Sequence, residues 1–259
     1  MILTRAHVLK QKRVAQDEYL LELECPEVAQ LAKPGQFITL KLDRRDDPLL
    51  RRPFSIHYVD KEAGILFIYY QVLGKTTEEM STLKEEESFS ILGPLGKGFD
   101  YEVENSKILL IGGGLGQAPL AFLASELEKK GNNIRALVGA KTSLGLNNME
   151  CLGSSCEQTY LTTEDGSAGT CGRVTDCWDE AYYDFKPDRI YACGPTPMLK
   201  ALKEKLQNEN IFCEISLEEK MACGIGACLG CTCKKTEKDF FFHVCKDGPV
   251  FRLEEVDLG

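Results

Sequence analysis

The sequence predicts a multi-domain chain of the α/β plus β class. It begins with an antiparallel β-barrel, continues as a doubly wound parallel α/β domain, and ends in a small cysteine-rich domain. Three observations predict this. Short apolar runs of period two, broken by turn residues, fill the N-terminal part and read as antiparallel strands. Continuous apolar runs then alternate with segments of helical period, which is the pattern of a parallel sheet flanked by helices. Near the C-terminus, Cys223, Cys228 and Cys231 stand at C-x4-C-x2-C spacing, with Cys245 further on. The division places the barrel in residues 1–101, the α/β domain in 102–212 and the cysteine domain in 213–259.

Composition bounds the function. Apolar residues make up 43% and charged residues 27% of the 259, ordinary values for a soluble globular protein of two or three domains. A net charge of −9 disfavours nucleic acid and anionic membrane as partners. The opening MILTRAHVLKQKR lacks the apolar core of a secretory signal, and no run approaches the ~18 apolar residues of a membrane span. A cytoplasmic protein without a membrane segment is expected. Its twelve cysteines are then not a disulfide framework. Cys25, Cys151, Cys156, Cys171, Cys177, Cys193, Cys213 and Cys233 lie outside the ligand spacing and read as buried or incidental reduced thiols.

In the barrel, Tyr19–Leu23, Gln36–Leu42, Ile65–Val72 and Ser88–Leu92 are predicted strands, and Thr77–Leu83 a short helix. Pro34-Gly35 and Gly93-Pro94 mark turns. Arg51-Arg52-Pro53-Phe54-Ser55 offers an arginine fork suited to a diphosphate and, three residues on, a serine suited to the polar edge of a flavin ring. Alone, the short R-x-x-S equally describes a solvated basic pair before a strand. Tyr69-Tyr70-Gln71 and Gly74-Lys75-Thr76-Thr77 are candidates to stack on such a cofactor and to hold its phosphates.

In the α/β domain, the apolar run Lys107–Ile111 ends in Gly112-Gly113-Gly114-Leu115-Gly116-Gln117, and Leu120, Leu123 and Leu127 mark one face of a helix that Gly131 closes. Strand, glycine loop and helix together put a pyrophosphate against unpaired N–H groups at a helix start. The spacing is not G-x-G-x-x-G, and a tight strand–helix turn is the plainer alternative. Strands follow at Ile134–Val138, Gln158–Leu161, Arg189–Cys193 and Ile211–Ile215, with helices around Val174–Tyr183 and over Leu199, Leu202 and Leu206. Cys193-Gly194-Pro195-Thr196-Pro197-Met198 falls at the end of a strand, where such sheets bind ligands. Lys141 is the lone cation in the loop after the second strand, which favours NADH over NADPH; Asp165-Gly166-Ser167 reads as an Asx turn.

The cysteine spacing is that of plant-type 2Fe–2S ligands. Gly224, Gly226 and Gly230 between the thiolates allow the backbone to wrap closely. A zinc site is the competing reading, although structural zinc more often uses two C-x2-C knuckles. Cys233 is a possible substitute for Cys231 that the spacing leaves as a neighbour.

The flavin segment resembles that of the ferredoxin–NADP reductase superfamily, with Gly74-Lys75-Thr76-Thr77 where that family usually shows G-x-G-T. Gly93–Phe99 resembles its closing turn, and the glycine loop and C-G-P-x-P-M segment its nucleotide half. With SLEEKMACGIGACLGC and VCKDGPV added, the whole chain resembles the electron-transfer subunits of B-type dihydroorotate dehydrogenases. The resemblance implies FAD on Arg52, Pro53, Phe54, Ser55, Tyr69, Tyr70, Gln71, Thr76 and Thr77. It implies NAD(H) on Gly112, Gly113, Gly114, Gly116, Gln117, Cys193, Gly194, Pro195 and Met198, and a 2Fe–2S cluster on Cys223, Cys228, Cys231 and Cys245.

The family also implies a partner, an FMN-containing catalytic subunit that oxidises dihydroorotate, in a two-plus-two heterotetramer. Electrons would run from FMN through the cluster and FAD to NAD in pyrimidine biosynthesis. No residue set in this chain reads as a dihydroorotate site, and His7, His57 and His243 are dispersed. No catalytic residue is therefore assigned. Two alternatives stand beside this reading. One is a related flavin–iron–sulfur subunit serving ferredoxin, sulfur or hydrogen metabolism; the other is a zinc-stabilised non-enzymatic module.

Overall fold

The computed structural model describes residues 1–43, 48–146, 150–237 and 239–259. Seven antiparallel strands form the N-terminal sheet: β1 (Ile2–Ala15), β2 (Glu18–Glu24), β3 (Phe37–Lys41), β4 (Arg52–Ser55), β5 (Tyr58–Asp60), β6 (Ile65–Gln71) and β7 (Ser88–Leu95). Their order is β4-β3-β7-β1-β2-β6-β5. The sheet closes because one stretch serves both edges. Arg52–Ser55 pairs with β3, the Ile56 N–H donates to Gln36 O, the His57 N–H donates to Phe67 O, and Tyr58–Asp60 then pairs with β6. Alternate residues such as Leu21 and Leu23, Ile38 and Leu40, Leu66 and Ile68, and Phe89 and Ile91 fill the interior. Helices α1 (Pro26–Leu31) and α2 (Lys75–Met80) attach to this barrel.

Two of these findings extend the sequence reading. Strand β1 buries only Ala6 and Val8 along its length, so its apolar pattern is faint, yet it pairs with both β2 and β7. Strand β7 runs on through Gly93-Pro94, because Gly93 still faces Ile2 and Leu95 faces Phe37.

The second sheet holds β8 (Lys107–Gly113), β9 (Asn133–Ala140), β10 (Gln158–Thr163), β11 (Thr170–Cys171), β12 (Arg189–Cys193) and β13 (Phe212–Ser216). It is flanked by α3 (Ala118–Glu128), α4 (Glu150–Gly153), α5 (Trp178–Tyr182) and α6 (Thr196–Lys205). The order β11-β10-β9-β8-β12-β13 is parallel and doubly wound, with the reversal between β8 and β12. Strand β8 shows why its run is continuously apolar. Ile108 and Leu110 pack under α3 with Leu120, Leu123 and Leu127, while Leu109 and Ile111 pack on the other face with Trp178, Leu199 and Leu202.

The C-terminal segment contributes β14 (Thr232–Lys235), β15 (Phe241–His243), α7 (Val244–Asp247), β16 (Val250–Arg252) and β17 (Val256–Asp257). Strands β15, β14 and β17 form a small antiparallel sheet, but β16 pairs with β13 as the antiparallel edge of the large one. Strand β13 straddles the expected boundary at residue 212 and β16 lies beyond it, so the large sheet continues into the segment 213–259. The cores agree: Cys231, Val244, Cys245, Phe251 and Val256 pack in one cluster with Leu109 and Ile215. Among the described residues no helix is long and apolar enough to cross a membrane.

Candidate functional site

A cavity of about 640 Å³ opens on the barrel beside β4 and β6, and all nine residues expected to hold FAD line it. The arginine pair divides its labour. Arg51 reaches back to β7, with Nη1 donating to Ser90 O at 3.1 Å and Nη2 to Ser90 Oγ at 2.7 Å. Arg52 lines the cavity, with Nη1 donating to Leu50 O at 3.1 Å. Thr76 lines it too, and its buried hydroxyl has no hydrogen-bond partner among the described residues. A buried unpaired hydroxyl is costly unless a ligand completes it, and this fits a phosphate-bearing group.

Two of the nine also make contacts within the protein. The Thr77 hydroxyl accepts from Leu73 N at 2.8 Å and Gly74 N at 3.1 Å and donates to Gly74 O at 2.9 Å, so it ties the start of α2. Tyr70 lines the cavity and also reaches into the barrel. Period two turns it into the barrel core, where it stacks on Tyr19 with centroids 5.6 Å apart and donates to Gln11 Oε1 at 3.1 Å.

A second cavity, of about 900 Å³, lies over the ends of the parallel strands at the reversal point. Gly113, Gly114, Gly116, Gln117, Gly194, Pro195 and Met198 line it. Gly112 and Cys193 do not; they stand behind the wall. A side chain at Gly112 would touch Gln117 Cα at 3.2 Å, and Cys193 is 2% exposed, its thiol pushed up by burial and then by the Glu218 charge. Only glycine fits at 116, since a Cβ there would collide with the Cys193 carbonyl oxygen. The two segments therefore pack backbone to backbone. Buried Gln117 donates its amide to Gly145 O at 2.8 Å, while its Oε1 has no partner among the described residues, which fits a ligand that donates there.

The sequence reading missed the far wall of this cavity. Ala15, Gln16, Asp17 and Glu18, at the β1–β2 turn of the barrel, line it. No local signal marks them; only the packing of two domains does. Lys141 and Thr142 line the opposite end with Glu164 and Arg173, and Ser167 N and Oγ both donate to Asp165 Oδ1, at 3.0 and 2.6 Å, as an Asx turn does.

Tyr69, Gln71, Leu115 and Glu218 line both cavities and form the wall between them. Glu218 is exposed to this open space but ringed by protein, and burial raises its pKa. His57 pins the seam, its Nδ1–H donating to Ala118 O at 2.7 Å while Phe122 N donates to His57 O at 3.1 Å. His7 is exposed on β1, and His243 pairs with Asp247 at 3.4 Å.

From β13 the chain runs along the barrel cavity through Ser216–Glu219 and Met221 into the cysteine loop. There, N–H groups are aimed at sulfur. Ile225 N and Cys228 N approach Cys223 Sγ at 3.4 Å, Gly226 N approaches Cys245 Sγ at 3.1 Å, and Cys245 N approaches Cys231 Sγ at 3.4 Å. Gly226 reaches its position at φ +78°, a conformation suited to glycine. Burial acts to raise the Cys223 thiol, but the N–H groups of Ile225 and Cys228 outweigh it and hold it at about 6. Burial, then the hydrogen bond with Cys231, push Cys245 up to about 12. Among the described residues no group of three or more side chains stands at metal-holding distance, but the thiols approach in two pairs, Cys223 with Cys228 and Cys231 with Cys245, and the backbone donors on their sulfurs fit an iron–sulfur cluster. Cys233 is set apart on β14, paired with Phe242 and half-buried against the core, and burial, then the charges of Glu219 and Cys231, push it up to about 11.

Residues 218–257 match the family model of the iron-sulfur cluster binding domain of dihydroorotate dehydrogenase B. Curated relatives extend the likeness to the whole chain. The electron transfer subunit of dihydroorotate dehydrogenase B (NAD(+)) of Geobacillus thermodenitrificans is 40% identical over 257 residues, 98% of each chain. That of Caldanaerobacter subterraneus subsp. tengcongensis is 42% identical over 255 residues, 97% of each. Among solved structures, a chain of the NADH-dependent reduced ferredoxin-NADP oxidoreductase superposes with TM-score 0.86 at 34% identity, covering 98% of this chain and 90% of that one. A ferredoxin reductase of carbazole 1,9a-dioxygenase shares the fold, with TM-score 0.68 at 21% identity over 81% of this chain and 66% of its own.

Proposed function

The chain belongs to the family of electron transfer subunits of dihydroorotate dehydrogenase B, and on that premise we propose that it carries electrons between a dihydroorotate-oxidising FMN subunit and NAD in pyrimidine biosynthesis. FAD in the barrel cavity supplies the exchange between the two-electron chemistry of nicotinamide and the one-electron chemistry of a 2Fe–2S cluster.

The observation that carries this reading is the order of the three sites. The sheet cavity meets the barrel cavity at Tyr69, Gln71, Leu115 and Glu218. The barrel cavity then meets the cysteine loop at Phe37 and Met221, and Gly224 packs so closely on β3 that a Cβ there would stand 2.8 Å from Thr39 Cγ2. In the proposed assignment Arg52 neutralises the FAD diphosphate, Ser55 and Gln71 meet the flavin edge, and Thr76 completes the phosphate contacts. Gly113 to Gln117 receive the nucleotide pyrophosphate, while Gly194, Pro195 and Met198 hold the nicotinamide against Tyr69 and Glu218. Cys223, Cys228, Cys231 and Cys245 ligate the cluster.

The reading assigns domains 1–101 to FAD, 102–212 to NAD and 213–259 to the cluster, with β13 and β16 fastening the last two together. It places the protein in the reducing cytoplasm, which its free thiols support. Dihydroorotate is bound by the partner, in a complex of two subunits of each kind.

The test is co-purification followed by anaerobic turnover. The chain with its partner should reduce NAD+ at the expense of dihydroorotate, and neither chain should do so alone. Recovery with a ferredoxin-linked partner instead, without dihydroorotate-driven NAD+ reduction, would transfer the chain to the branch represented by the structure of TM-score 0.86.

A further inference from the structure

The wall between the cavities contains a contact that the cofactor assignment leaves unused. The Tyr69 hydroxyl donates to Glu18 Oε2, and while Tyr69 lines both cavities, Glu18 lines the sheet cavity. Tyr69 is 5% exposed, with its ring against His57 at 5.9 Å between centroids. The hairpin tip bearing Glu18 is fastened a second time, since Val72 N donates to Asp17 O at 2.7 Å just beyond β6. Burial, then the hydrogen bond and charge of Glu18, push the Tyr69 phenol well up, so it stays a neutral donor.

Charge around the sheet cavity is unevenly placed. Lys141 and Arg173 stand with Glu164 beyond the ends of β9, β10 and β11, whereas the barrel-facing end carries Asp17, Glu18 and Glu218 and no cation among the described lining residues. A nicotinamide ring is cationic when oxidised and neutral when reduced, so an acidic wall discriminates between the two forms.

We propose that Glu18 is a positioning residue for exchange between nucleotide and flavin: its carboxylate holds the Tyr69 ring in the wall between the cavities, and its charge favours the oxidised nucleotide. This rests on the reading that the sheet cavity takes NAD(H) and the barrel cavity FAD.

The test uses the FAD- and cluster-loaded complex with its catalytic partner. Two quantities are read: the limiting rate of flavin bleaching by NADH, and the dissociation constants of NAD+ and of an unreactive tetrahydronicotinamide analogue of NADH. Glu18→Gln keeps an oxygen for the phenol but removes the charge; it should weaken NAD+ relative to the neutral analogue by about threefold to tenfold. Glu18→Ala should slow bleaching by about tenfold while bound FAD stays at the wild-type level. Tyr69→Phe should slow bleaching comparably yet keep the wild-type ratio of the two constants, since the carboxylate remains. A wild-type ratio in Glu18→Gln together with wild-type bleaching in Glu18→Ala overturns the proposal. Failure of NADH to bleach the wild-type flavin overturns the nucleotide reading itself, and the proposal with it.

Discussion

In the proposed relay the sheet cavity and the cysteine loop serve the same electrons but are built in opposite ways. The sheet cavity takes part of its wall from backbone, at Gly113, Gly114, Gly116, Gly194 and Pro195, with strand ends and a hairpin from another domain meeting around it. The cysteine loop presents side chains from one stretch of chain, Cys223 to Cys245, and uses backbone only to steady their sulfurs. A nucleotide must leave after each turnover, so many modest contacts in an open site suit it. A cluster stays, so a few strong bonds in a local loop suit it. The cost of a single change should differ accordingly, and that can be measured.

The largest loss is expected at the loop. Cys228→Ser should abolish the 2Fe–2S absorbance and EPR signal and cut electron delivery to the partner by about a thousandfold or more, with flavin reduction by NADH left within about twofold. Loss of both activities together would show that the loop and the cavities do not separate as their construction suggests. Arg52→Ala comes next. It removes the cationic fork proposed to face the FAD diphosphate, and FAD affinity measured by equilibrium dialysis should fall about 10-fold to 100-fold.

On the sheet side, Gly116→Ala forces a Cβ into the Cys193 carbonyl. The backbone contact must give, which costs about 1–3 kcal/mol of stability and raises the NADH concentration for half-maximal flavin reduction by about tenfold. Thermal melting and anaerobic titration check the two effects separately. If Gly116→Ala bound NADH normally, the wall would be less backbone-defined than the packing indicates.

The same contrast explains what was legible beforehand. The cysteine loop was readable because its proposed ligands are local and their spacing is chemically restrictive. The strand–glycine–helix turn at Gly112–Gln117 was readable for a similar reason. The β1–β2 tip at Ala15–Glu18 carries no such mark, because its role comes from a barrel hairpin reaching over another domain. Strand β16 was equally silent: Val250–Arg252 is too short to show a period, and only tertiary packing assigns it to β13. Tyr70 carries a second contact that its motif did not show: it lines the barrel cavity with Tyr69 and Gln71 but also packs into the barrel core against Tyr19, its partner across β2 and β6.

The smallest effect concerns His57, which joins the barrel to α3. Burial lowers its pKa below the ordinary 6.5, with the bond to Ala118 acting the other way. The folded chain therefore holds this proton less well than the unfolded chain. Stability from the neutral ring is present above 6.5 and is lost as pH falls from there toward the folded value. Glu214 and Glu218 tilt the curve oppositely: burial raises both, so their contribution is lost as pH rises above the ordinary 4.5. A melting profile of the wild type alone mixes these slopes. His57→Gln separates them, since an amide still donates to the Ala118 carbonyl but takes up no proton. The difference in melting temperature between wild type and His57→Gln should stay constant above about pH 7 and move against the wild type below it. A constant difference throughout would mean that the ring protonates without disturbing the seam, and that His57 contributes its shape alone.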